Sequence, residues 1–132
     1  MEKSSAHVVV IGAVNLDIKG KSDKNLVPYT SNPGKVEISS GGVGRNIAEN
    51  LARLNVNTTL ISAFSNDYFS EILIRECKSA GINYEHSLFI DKYPTSLYLA
   101  ILNHRGDLIS AISDMSILSC ITPDFLKSRE EI

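Results

Sequence analysis

Apolar residues first cluster in His7-Val-Val-Val-Ile-Gly12, a β-branched run without polar alternation. A strand covered on both faces of a parallel sheet reads this way, so the run is expected to be the first, central strand. Residues 14–22 are looser and more polar, Asn32-Pro33-Gly34 marks a turn, and residues 35–39 alternate as a one-sided strand does. These two short pieces are expected to form a small separate sheet. Val43, Ile47, Ala48, Leu51, Ala52 and Leu54 then recur at helical spacing and are expected to face the core. Asn55 follows where a left-handed residue can end that helix. Residues 58–64 read as a second buried strand. Asp67 or Ser65 can cap a second helix that turns Phe69, Ile72, Leu73, Cys77 and Ala80 inward and stops at Gly81.

This strand, helix, strand, helix order argues for an α/β layered domain with right-handed crossovers. The pattern then changes. Residues 96–102 and 107–112 read as a hairpin around a turn that contains Gly106, and residues 121–132 as the start of a further helix with Thr122 as cap and Pro123 in its first turn. Asp114-Met115 stands at the passage between them, for no reason the sequence shows. There is no internal repeat. The expectation is one domain over residues 1–132, an α/β unit plus a small β subdomain drawn from residues 16–38 and 95–112.

Composition narrows the partners. The chain has 132 residues, 43% of them apolar, enough for one core. Thirteen basic and 15 acidic side chains are spread along it for a net charge of −2, so no footprint for nucleic acid or an anionic membrane emerges. The apolar run at residues 6–14 is too short to span a membrane, and Glu2 and Lys3 ahead of it are not a basic leader. Cys77 and Cys120 lie far apart without a Cys-x-x-Cys pair, so a disulfide framework or zinc site is not expected, and reduced thiols suit a cytoplasmic protein. A small molecule or another protein is the expected partner.

Asn15 and Asp17 stand just past the carboxyl end of the first strand, where open α/β sheets bind ligands. In extended backbone they point the same way, and an amide beside a carboxylate suits adjacent sugar hydroxyls. An Asx turn leaving the strand is the competing reading. Gly41-Gly42-Val43-Gly44 opens a helix and offers bare backbone amides to an electron-rich group, although a plain tight turn would look the same. The stretch is not a Gly-Lys-Ser/Thr phosphate loop, and it lacks the third glycine and the acidic residue of a dinucleotide fingerprint. Asn46, in the first helical turn, can close around the same ligand, while Arg45 beside it is expected to meet solvent or a surface carboxylate. His7, His86 and His104 have no metal-ligand spacing and no visible catalytic partner. Tyr93 and Tyr98 flank the hairpin, where they could cover a ring or merely pack.

From Gly12-Ala-Val-Asn15-Leu-Asp17 through Gly41-Gly-Val-Gly-Arg-Asn46-Ile-Ala-Glu-Asn-Leu-Ala-Arg-Leu54, the chain resembles the first strand and first signature motif of the ribokinase (PfkB) family. The resemblance continues through Ser65-Asn-Asp67-Tyr-Phe-Ser70 and Pro94-Thr95-Ser96 over nearly the whole chain. Tyr98-Leu-Ala-Ile-Leu, Gly106-Asp107 and Ala111-Ile-Ser-Asp114-Met115 look most like the pseudouridine kinase branch. What this implies is a truncated ribokinase-like fold: a layered α/β unit with a central, mostly parallel sheet, plus a β lid that covers the substrate and can clasp a second subunit as a homodimer. It also implies transfer of the ATP γ-phosphoryl group to a primary hydroxyl with Mg²⁺, often with a monovalent cation. By resemblance Asn15 and Asp17 bind acceptor hydroxyls, Gly41 and Gly42 let the backbone close on the sugar, and Asn46 bonds another hydroxyl. In that branch the acceptor is the ribose 5′-hydroxyl of pseudouridine.

Ser65, Ser70 and Asn55 stand where relatives commonly have glycine, which affects turns and not the proposed ligand groups. The family's second motif, Gly-Ala-Gly-Asp, with its catalytic base and anion hole, is absent from the sequence. No catalytic residue is therefore assigned, and the chain is expected to be a fragment, nearly inactive alone, that binds neither ATP nor a metal. Competing readings are another sugar kinase of the ribokinase or fructokinase type, or a non-catalytic sugar-binding or dimerisation module. A dinucleotide-binding oxidoreductase domain is disfavoured by the missing fingerprint.

Overall fold

The computed structural model describes residues 5–132, so Glu2 and Lys3 lie outside the described residues. Strand β1 (His7–Ile11) pairs in parallel with β4 (Asn57–Ile61), with Val9 opposite Thr59. Between them the chain makes β2 (Asn15–Ser22), β3 (Gly34–Gly41) and helix α1 (Val43–Arg53). After β4 come β5 (Ala63–Phe64), α2 (Tyr68–Ala80), β6 (Leu88–Phe89), β7 (Leu97–Leu102) and β8 (Leu108–Asp114). A 3₁₀ turn (Ser116–Cys120) and α3 (Pro123–Lys127) follow. The four strands outside the α/β unit form one sheet in the order β3-β2-β7-β8, antiparallel at both sides and parallel where β2 meets β7. The stretches near residues 16–38 and 95–112 thus share a single sheet through the β2–β7 pairing.

The core gathers Val14 just ahead of β2 and Leu16 within it, Ala48 from α1, Leu60 and Phe64, Leu73 and Cys77 from α2, and Ile82. Phe64 stacks on Phe89 at 5.5 Å between ring centroids and tilts against Tyr84 at 5.8 Å. Each fully buried large side chain of this kind contributes about 1.5–3 kcal/mol relative to exposure. Local signals end the helices where the sequence places them. Asp67 caps α2 by accepting from the Ser70 amide at 2.9 Å. Gly81 stops α2 at φ 76°, Asn55 takes φ 60° just after α1, and Thr122 caps α3.

Four expectations are corrected. β1 is covered on one face only. Val10 packs against the core, while the face with Val9 and Ile11 is open, Ile11 being 55% exposed, because the core with α1 lies on the Val10 side. α1 is rotated from the face its apolar spacing suggests. Val43, Ile47 and Leu54 lie exposed, Ile47 at 48%, and Gly44, Arg45 and Ala48 turn inward. The cause is close contact: a Cβ on Gly44 would lie 2.8 Å from the Gly12 Cα, so the helix approaches β1 on its small-residue side. Residues 58–64 are buried throughout but break into β4 and β5 at Ser62. There the Ser62 amide donates to the Ser87 hydroxyl at 3.0 Å and its carbonyl accepts from Leu88 at 2.8 Å. Finally, α3 spans Pro123–Lys127 and not the whole stretch to residue 132. Among the described residues no helix is long and apolar enough to cross a membrane.

Candidate acceptor site

At the carboxyl end of β1 the chain leaves one sheet and enters the other. The Gly12 amide completes the parallel ladder by donating to the Ile61 carbonyl at 3.1 Å, and the Leu16 amide donates to Ser96 at 3.0 Å. Val14 and Leu16 are both drawn into the core, and strand alternation then turns Asn15 and Asp17 to the opposite side. Asn15 is buried, and its Nδ2 donates to Asp17 Oδ1 at 2.7 Å. No Asx turn forms. Both residues lie inside β2, with Asn15 opposite Gly41, and Asp17 opposite Ser39 on one side and Tyr98 on the other. Paired residues share a face, so Asn15, Asp17, Ser39, Gly41 and Tyr98 all belong to one side of the sheet.

The glycines fit tightly against this pair. A Cβ on Gly41 would stand 2.6 Å from Asp17 Oδ2, so the carboxylate rests against bare backbone. Gly42 holds φ 98°, and a Cβ there would fall 2.4 Å from the Ala13 carbonyl oxygen. α1 has no side-chain cap; the Arg45 amide donates to Ala13 at 3.1 Å, while those of Val43 and Gly44 have no preceding turn to bond. The glycines are therefore a tight turn and, in the same geometry, the positive end of a helix set beside a carboxylate and an amide. Asn46 stands one turn along α1, its amide nitrogen donating to Gly42 at 2.9 Å. Its side-chain oxygen accepts from Arg45 Nη1 at 3.3 Å and makes no bond to Asn15 or Asp17. The structure thus brings Asn15, Asp17, Gly41 and Gly42 together and leaves the Asn46 side chain turned to Arg45.

Arg45 differs most from its expected place. It is only 8% exposed and bridges the two helices, pairing with Glu49 at 2.6 Å and Glu76 at 3.1 Å. Glu49 also takes Arg53 at 2.6 Å. Carboxylates do meet it, but in the interior, because the Gly12–Gly44 contact rotates residue 45 toward α2. A second feature escaped the sequence reading. The Asp67 carboxylate caps α2 and also accepts from the Thr95 amide at 2.9 Å and the Thr95 hydroxyl at 2.5 Å. Burial pushes this carboxyl up, yet the bonds from Thr95, Ser70 and Phe69 outweigh it and hold it below the ordinary 3.8. The cap was legible from local sequence; a partner 28 residues away leaves no local trace. Asp114, unexplained before, ends β8 and leads into the 3₁₀ turn by accepting from the Ser116 amide and hydroxyl at 3.2 and 2.7 Å.

His7 Nε2 meets the Thr59 hydroxyl at 2.9 Å across β1 and β4. Among the described residues no group of three or more His, Cys, Asp or Glu could hold a metal ion. A Gly-Lys-Ser/Thr loop is likewise absent from the sequence. A concavity of about 450 Å³ is formed by the loop after β2, from Ser22, Lys24, Val27, Asn32 and Pro33 among others, and includes none of the five sugar-site candidates.

Residues 5–129 match the family model described as pfkB family carbohydrate kinase. The chain is 38% identical over 125 residues to a pseudouridine kinase of Escherichia coli (strain K12), covering 95% of this chain and 40% of that protein. It is 38% identical over 106 residues to a guanosine-inosine kinase of Exiguobacterium acetylicum, covering 80% of this chain and 35% of the relative. A solved carbohydrate kinase from Agrobacterium tumefaciens aligns with a TM-score of 0.83 at 30% identity, over 96% of this chain and 40% of the other. The chain thus spans 35–40% of the length of these two curated relatives.

Proposed function

The chain belongs to the pfkB family of carbohydrate kinases and has a ribokinase-like fold, and from that premise we propose that its crevice is the acceptor site of a sugar or nucleoside kinase. The favoured substrate is pseudouridine, phosphorylated on the ribose 5′-hydroxyl by ATP in the full-length protein. The observation that carries this is the Asn15–Asp17 pair, bonded at 2.7 Å and facing the bare backbone of Gly41. A carboxylate accepts from two vicinal hydroxyls, the neighbouring amide both donates and accepts, and the absence of a Cβ at residue 41 lets a ring come close. Tyr98, half-buried and beside Asp17 in register, is placed to cover a base. Likeness to a pseudouridine kinase supports the C-nucleoside, and comparable likeness to a guanosine-inosine kinase keeps other ribonucleosides close behind. ATP, Mg²⁺ and any monovalent cation belong to this proposal only as partners of the complete protein, in the cytoplasm. The residues described here bind and orient the acceptor.

Calorimetric titration of the chain with pseudouridine, inosine, ribose and fructose tests the reading. Ribosyl compounds should bind, pseudouridine most tightly, and Asp17→Ala should weaken binding roughly tenfold to a hundredfold, the worth of hydrogen bonds to a charged group. A preference for fructose would remove only the nucleoside assignment. Binding of none of them would remove the acceptor site.

A homodimer is favoured by a separate observation. The other face of the four-stranded sheet carries Ile18, Val36, Ile38, Leu99, Ile101 and Ile112 in matching register, and all but Ile18 lie exposed. An apolar face of this extent suits burial against a second copy. Sedimentation across a concentration series should show dimer, and Ile38→Lys should return monomer. A dimer that takes no ribosyl compound would favour the non-catalytic module instead.

A further inference from the structure

We propose that Asp67 is a positioning residue of the acceptor site, latching the root of β7 and, through β7, the strand that carries Asn15 and Asp17. The proposal rests on the acceptor-site reading above. Its basis is how few attachments hold the outer sheet in place. β2 enters that sheet directly from the end of β1, so Asn15 and Asp17 stand at the start of one of its inner strands. The neighbour that fixes β2 on the side away from β3 is β7, in register from Leu16–Leu97 to Lys21–Leu102. β7 in turn arrives from the α/β unit through Tyr93, Pro94, Thr95 and Ser96.

That passage is pinned three ways. The Ser65 hydroxyl donates to the Tyr93 carbonyl at 2.7 Å, Thr95 gives both its amide and its hydroxyl to Asp67, and the Ser96 carbonyl receives the Leu16 amide at 3.0 Å. Thr95 and Ser96 are 3% and 1% exposed, so water cannot easily replace these bonds. Asp67 is the one charged group among them, and it is anchored at the other end by the Ser70 amide of α2 at 2.9 Å. A single carboxylate therefore ties the first turn of a helix to the residue two positions ahead of a strand in another sheet. Two residues beyond Ser96, Tyr98 sits beside Asp17. A small shift at Thr95 is delivered within three residues to Tyr98, beside the group proposed to read the acceptor.

The helix-capping role and the latch can be separated by substitution. Serine is a good N-cap but too short to serve Ser70 and Thr95 together, so Asp67→Ser should keep α2 while releasing β7. Thr95→Val removes the hydroxyl donor and leaves the cap untouched. For both variants, amide exchange is followed residue by residue and binding of pseudouridine and ribose is titrated. Exchange in α2 should stay as in the parent, and that of the Leu16 amide should rise about tenfold. Ribosyl binding should weaken about five- to tenfold, and the double variant should be no worse than Asp67→Ser alone, since that change already releases both the amide and the hydroxyl of Thr95. Unchanged exchange at Leu16 in both variants would overturn the latch. Binding equal to the parent despite faster exchange would overturn its positioning role. Were the parent itself to bind no ribosyl compound, the acceptor reading would fall on that ground, while exchange at Leu16 would still judge the latch.

Discussion

Strand alternation is what aims the two polar groups. Because Val14 and Leu16 are committed to the core, Asn15 and Asp17 have only the opposite side available, and Gly41 is the residue across from them. The pairing of Asn15 with Asp17 was legible in sequence because it depends on neighbours two apart. Arg45 and Thr95 were not, since each acquires its role from a side chain 28 or more positions away. Gly42→Ala should be costly, combining an L residue at φ 98° with a Cβ 2.4 Å from a carbonyl oxygen. A loss of about 1–3 kcal/mol in urea unfolding is expected. Asp67 gives a pH signature. Its carboxyl is held below 3.8, so the ionised form contributes stability above the unfolded value, lost as pH falls through the native one. The stability gap between the parent and Asp67→Asn should be widest near neutrality and narrow below about pH 4. Cys77 is pushed up to about 11 by burial, eased by Arg45 and reinforced by Glu76 and Glu49. A thiol reagent at about pH 8 should therefore label Cys120 in the folded chain and Cys77 only on unfolding.

At the scale of elements, the caps and stops followed local chemistry, whereas helix rotation did not. The periodicity of α1 nominated Val43, Ile47 and Leu54 for the core beside Ala48, yet the Gly12–Gly44 contact brings the helix in on its small side and keeps only Ala48 of these four there. Backbone approach at glycine outranks side-chain hydrophobicity when the helix must reach a strand end. Ala48→Leu should accordingly overpack and cost about 1–3 kcal/mol, while Ile47→Lys should change unfolding little. β1 carries the same lesson in reverse. Its unbroken β-branched run announced a strand correctly, but how many faces are covered depends on neighbours that a local window cannot count.

The whole molecule is an α/β unit and a four-stranded sheet whose polar face meets the end of β1 and whose apolar face lies open. The layered fold and the two stretches feeding the outer sheet were readable as strand and helix periods. The parallel β2–β7 pairing that fuses them was not, because it joins residues about 80 apart with no turn between. That pairing is what sets Tyr98 beside Asp17. The most direct test of the central claim is amide and side-chain NMR of the labelled chain during titration with pseudouridine. Shifts concentrated at Asn15 Nδ2, Asp17, Gly41, Gly42 and Tyr98, with Val36 and Ile38 on the apolar face unmoved, are the predicted result. Shifts confined to the loop around Val27 and Asn32, or none at millimolar ligand, would contradict it.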